Sequence, residues 1–145
     1  MKAKQALLRL LNRRELNSAQ ALKKLLDREF PFAEAKQAIA ECESAGFVDD
    51  RRWAEGRVRA LLRRKKGNSY IRQKLAQEGL DKELITDALP SEKDQEEALQ
   101  RLLTSRYSDR DMTDLKIRQK TVQALQRQGF PLSLILNSPE ISHFS

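Results

Sequence analysis

The chain has 145 residues, 34% of them charged and 39% hydrophobic, with a formal net charge of +7. That length holds one compact domain or a few small repeated units, and an aromatic share of 6% leaves a core built mostly from Leu, Ala and Ile. A basic balance of this size calls for an acidic partner: nucleic acid, an anionic membrane surface or an acidic protein groove.

The chain begins MKAKQALLRLLNRR, whose apolar part is too short and too interrupted for a secretory signal. No apolar run approaches the roughly 18 residues of a membrane span, so the expectation is a cytoplasmic protein without membrane attachment. The single cysteine, Cys42, rules out an internal disulfide and a framework of metal thiolates. No cofactor or metal is expected.

In chain order the sequence reads as helix after helix, without β-branched runs or period-two alternation. An amphipathic helix at about Lys4–Arg14 precedes "ALKKLLDREFPFAEAKQAI" (21–39). A second, Asp50–Lys66, precedes "IRQKLAQEGLDKELITDAL" (71–89). A third, Glu92–Arg106, precedes "TVQALQRQGFPLSLILN" (121–137). In register, Leu25, Leu75 and Leu125 coincide, as do Phe30, Leu80 and Phe130. Gly79 and Gly129 also coincide, with Glu29 in the first copy. Each copy predicts a helix that ends at a left-handed Gly, an apolar residue that folds back on the last turn, and a new helix opened by Pro31, Asp81 or Pro131. The expected fold is therefore all-α: three tandem three-helix units, 1–48, 49–90 and 91–145, forming an elongated, curved helical repeat. The third copy carries a longer loop, "YSDRDMTD". Pro90 and Ser91 mark a boundary, and the tail "NSPEISHFS" is expected to be loosely packed.

Several of these stretches together resemble the RecX family of regulatory proteins, modulators of the RecA recombinase. "LNRRELNSAQALKKLL" is similar to its first-unit pattern. "AGFVDDRRWA" is similar to its run of Gly, aromatic, aliphatic, Asp-Asp and aromatic-Ala. "GNSYIRQKLAQEGL" and "ALQRQGF" resemble the second and third units. The chain departs from the pattern at Ala21, where an acidic residue is common, at Glu29, where the loop Gly is missing, and at Trp53, where Phe or Tyr is usual. The resemblance implies a non-enzymatic protein that binds RecA and its nucleoprotein filaments, lodges in the filament groove, inhibits strand exchange and ATP hydrolysis, and limits filament growth. It places such a protein in DNA repair and the SOS response.

The stretch "GFVDDRRWAEGRVRALLRRKKGN" (46–68) holds the main candidates. Paired carboxylates at Asp49 and Asp50 could serve acid–base or metal chemistry, but the one histidine, His143, sits in the tail. The reading favoured here is a helix start, with Asp side chains capping free N–H groups. Along the helix that follows, Ala54, Val58, Leu61 and Leu62 form the core-facing stripe, and Arg52, Arg59, Arg63 and Lys66 fall on a broadly opposite face. Arg57 and Arg64 lie on a flank. Repulsion between like charges such as Arg59 and Arg63 argues against an ordinary solvated face. Arg72 and Lys74 extend the basic surface onto the next helix. Gly67 is expected to end the basic helix, with Asn68 or Ser69 capping its successor.

Trp53, Tyr70 and Tyr107 are read as packing residues and Cys42 as a small buried one. There is no Walker lysine, no Cys–His metal spacing and no nucleophile elbow. The expected partner-binding residues are thus Arg52, Arg59, Arg63, Arg64, Lys65, Lys66, Arg72 and Lys74, on a monomer that meets acidic RecA residues, DNA phosphates, or both. A stand-alone basic helical DNA-binding protein is the alternative, and a small hydrolase built on Asp49 and Asp50 a third.

Overall fold

The computed structural model describes residues 2–143. Among them there is no strand, and the helices run α1 (Ala3–Arg13), α2 (Ser18–Asp27), α3 (Phe32–Ser44), α4 (Asp50–Arg63), α5 (Asn68–Gln77), α6 (Lys82–Ala88), α7 (Glu92–Ser105), α8 (Leu115–Arg127), α9 (Leu132–Asn137) and α10 (Pro139–Ser142). They form three successive groups, each with its own apolar cluster. Ala6, Leu7, Leu25, Ile39 and Cys42 centre the first. Val58, Leu61, Ile71, Leu75 and Ile85 centre the second. Leu99, Leu102, Leu125, Phe130, Ile135 and Ile141 centre the third. The expected tandem three-helix architecture is the observed one. The third group adds the short α10, so the tail is packed rather than loose: Ile141 is fully buried and Ser138 is buried beside it. Phe144 and Ser145, also part of the tail expectation, lie outside the described residues.

The repeat in the sequence becomes a repeat in backbone hydrogen bonds. The N–H of Phe30 donates to the Leu25 carbonyl, that of Leu80 to Leu75 and that of Phe130 to Leu125, each at 3.2 Å. This six-to-one bond closes a helix whose next residue is left-handed. Gly79 (φ 95°) and Gly129 (φ 106°) supply that conformation, and Glu29 adopts it with a side chain (φ 68°). A non-glycine residue in that region costs about 1–2 kcal/mol. The closing helices then start on caps: Asp81 accepts from the Leu84 N–H (2.8 Å), while Pro31 and Pro131 precede α3 and α9.

The end of α4 differs from expectation. The helix stops at Arg63, and Lys65, not Gly67, takes the left-handed conformation (φ 58°), with the Lys66 N–H returning to the Leu61 carbonyl. Gly67 has φ −92° and is the residue before α5. Its missing side chain answers a packing need: a Cβ there would lie 2.4 Å from the Gly129 carbonyl carbon. Asn68 and Ser69 do not cap α5: both lie inside the helix, which starts after Gly67 with no side-chain cap, and their N–H groups donate to the third group of helices.

Candidate acidic-partner interface

Asp49 and Asp50 divide their work. Asp49 is the cap of α4, accepting from the Arg52 N–H at 3.0 Å. Asp50 instead reaches across to the first group, where its two oxygens accept from the Ser18 N–H (2.7 Å) and Ser18 hydroxyl (2.5 Å). The carboxylates therefore hold a helix start and a joint, and among the described residues no cluster of three His, Cys, Asp or Glu is arranged to hold a metal ion.

The apolar stripe of α4 is as expected. Ala54, Val58 and Leu61 are buried, Leu62 packs against both the second and third clusters, and Trp53 packs at the edge of the second. At 100° per residue, Arg52, Arg59 and Arg63 lie opposite that stripe. They are not equivalent. The Arg52 guanidinium is held by Glu15 (2.7 Å) and the Gly46 carbonyl (3.1 Å), and the Glu15 hydrogen bond raises its pKa further. Arg57, on the flank, makes a two-pronged ion pair with Glu78 at 2.8–3.2 Å. Lys66 donates to the Gln128 side chain at 2.7 Å and lies 4.6 Å from the centre of the Tyr70 ring. Arg52 and Lys66, expected to face a partner, are also engaged within the fold, because the connections at each end of α4 bring a neighbouring group of helices within hydrogen-bond reach.

Arg59, Arg63, Arg64 and Arg72 are exposed, Lys65 and Lys74 are half-buried, and among the described residues none of these six side chains has an ion-pair or hydrogen-bond partner. Arg59, Arg63, Arg64 and Lys65 cluster on the C-terminal half of α4 and its left-handed exit. Arg72 and Lys74 do not extend this ridge together. With Ile71 and Leu75 buried in the second cluster, they fall on opposite flanks of α5, about 160° apart. The ridge offers several unneutralised donors to an acidic surface, with guanidinium forks suited to carboxylate or phosphate.

Sequence reasoning missed the joints. Between the first and second groups, fully buried Asn17 donates from Nδ2 to the Glu78 carbonyl (3.0 Å) while capping α2 through Gln20. Between the second and third, the Gly67 N–H donates to the Gln128 carbonyl (2.9 Å) and the Ser69 N–H to Gly129 (3.1 Å). The 50-residue register aligning Leu25, Leu75 and Leu125 also aligns Asn17 with Gly67 and Glu78 with Gln128, so the signal was present.

Comparison with known proteins agrees with this architecture. Residues 49–89 match the second three-helix domain of RecX and residues 94–137 match the third. The regulatory protein RecX of Stenotrophomonas maltophilia (strain R551-3) is 35% identical over 127 residues, covering 87% of this chain and 78% of that protein. The chain belongs to the RecX family. Regulatory protein RecX of Trichlorobacter lovleyi is 32% identical over 136 residues, covering 90% of this chain and 88% of its own. Among solved structures, a regulatory protein RecX superposes with a TM-score of 0.80 at 26% identity, over 97% of this chain and 70% of that one. RecX from Lactobacillus salivarius superposes with a TM-score of 0.83 at 24% identity, over 98% and 94%. These RecX structures share the all-helical fold described above. Within this member, no helix among the described residues is long and apolar enough to cross a membrane.

Proposed function

We propose that this RecX-family chain binds RecA and RecA–DNA filaments and inhibits strand exchange, ATP hydrolysis and filament growth, so tempering DNA repair and the SOS response. It acts in the cytoplasm as a monomer, without catalytic activity of its own. Residues 1–48, 49–90 and 91–145 are its three folding units. The observation that carries the reading is the unpaired cationic ridge of Arg59, Arg63, Arg64 and Lys65, together with family membership. Arg72 contributes from the exposed flank of α5; Lys74 stands on its other flank and is the weakest member of the set.

The mechanism is steric and thermodynamic. A chain that lies along the filament groove obstructs an incoming duplex, and it can shift the filament only by binding one of its states more tightly than another. The ridge would meet acidic RecA side chains, DNA phosphates, or both. Binding to single-stranded DNA measured with and without RecA tests this. Tight association that needs RecA supports the proposal. Equal, strongly salt-dependent binding to bare DNA would identify a stand-alone DNA-binding protein instead.

A further inference from the structure

The two joints of the repeat have the same plan but different construction. In both, the start of the second helix of one group (Asn17–Ser18, Gly67–Ser69) seats against the end of the second helix of the next (Glu78–Gly79, Gln128–Gly129). In both, a side chain from the following group's first helix accepts an N–H: Asp50 from Ser18, and Gln95 from Asn68 at 3.0 Å. At the joint between the second and third groups, two bonds are backbone to backbone. The seat brings Gly67 against Gly129, and a Cβ on Gly129 would fall 2.6 Å from the Tyr70 nitrogen. Leu62 belongs to the packing of both apolar clusters, so the two cores touch through it.

The first joint has an equally tight glycine seat, with a Cβ on Gly79 falling 2.5 Å from the Ala19 methyl, but lacks the backbone bonds and the shared apolar residue. Among the described residues, every hydrogen bond from the first group to the second uses a side chain: Asn17 to the Glu78 carbonyl, Asp50 to Ser18, and Arg52 to Glu15 and the Gly46 carbonyl. No residue of the first apolar cluster, or packed against it, is shared with the second. Gly79 meets a side chain, the Ala19 methyl, where Gly129 meets backbone. The Arg52–Glu15 pair is about half exposed on both sides and is weakened by salt. A side-chain joint exchanges its bonds with water when it opens. A joint that shares an apolar residue must also expose that residue.

From this asymmetry we infer that the molecule moves as two bodies: the second and third groups form one block, and the first swings about the Ser18–Asp50 joint. The curvature presented to a partner is therefore adjustable at one end only, and the ridge on α4 stays fixed relative to the third group. Spin labels on the exposed positions Lys24, Glu83 and Gln123 test this by distance distributions in the full chain, with buried Cys42 left unlabelled. The Lys24–Glu83 distribution is expected to be the broader. It broadens further in Asp50→Asn, in Ser18→Ala and in high salt, while Glu83–Gln123 is unchanged in all three. Equal breadth in the two pairs, or parallel broadening of both, overturns the inference. Ser18→Ala keeps the test usable if Asp50→Asn fails to fold.

Discussion

At the residue scale, the left-handed positions separate conformational strain from packing. Gly46 (φ 81°) has nothing within 4 Å of an added Cβ, whereas one on Gly129 (φ 106°) would strike Tyr70 at 2.6 Å. Gly46→Ala should cost about 1–2 kcal/mol, the backbone term alone. Gly129→Ala should cost clearly more, because the joint must also shift. Urea unfolding of both variants checks the difference, and equal losses would mean that the Gly129 seat yields freely. Glu29→Gly reverses the logic and should stabilise by about 1 kcal/mol through relief of the same strain. The first copy tolerates Glu29 because its side chain is exposed and, among the described residues, no other group of helices is seated against it. Cys42 lies fully buried, and burial raises its thiol pKa, so it should resist alkylating reagents until the first group unfolds.

At the element scale, α4 was legible as an amphipathic helix with Asp at its start, because a period of 3.6 and a cap are local signals. Its C-terminal stop was misread. A glycine is the usual left-handed residue, yet Lys65 takes that role, since Gly67 is needed two residues later for contact with Gly129. Two competing uses of one glycine cannot be told apart in one sequence. The same limit hid the fates of Arg52 and Lys66, which depend on partners 37 and 62 residues away. Two predictions follow at this scale. Arg52→Glu should loosen the first joint, making the Ser18 amide exchange faster with deuterium while RecA binding through the ridge persists. Arg59→Glu with Arg63→Glu should do the opposite: circular dichroism and melting stay close to the parent, and affinity for the acidic partner falls. Loss of helicity in the double variant would mean that these arginines support the fold.

At the scale of the whole molecule, the tandem three-helix architecture could be read from the register of Leu25, Leu75 and Leu125, because each copy closes its helix with the same backbone bond. How the groups attach could not be read so readily, since the joints are made from residues that look like ordinary caps and loop positions. Asn17, Ser18 and Asp50 each suit a helix terminus and act across groups as well. The placement of Arg72 and Lys74 on opposite flanks of α5 needed only helix geometry and was available from the sequence.

The proposed restraint of RecA by this RecX-family chain acts through the free cations of α4. The most direct measurement is DNA-dependent ATP hydrolysis by RecA with the wild-type chain and the Arg59→Glu/Arg63→Glu variant at matched, stoichiometric concentration. Inhibition by the wild type and severe loss of that inhibition in the folded variant are expected. Unchanged hydrolysis with the wild-type chain, or full inhibition by the variant, would contradict the proposal.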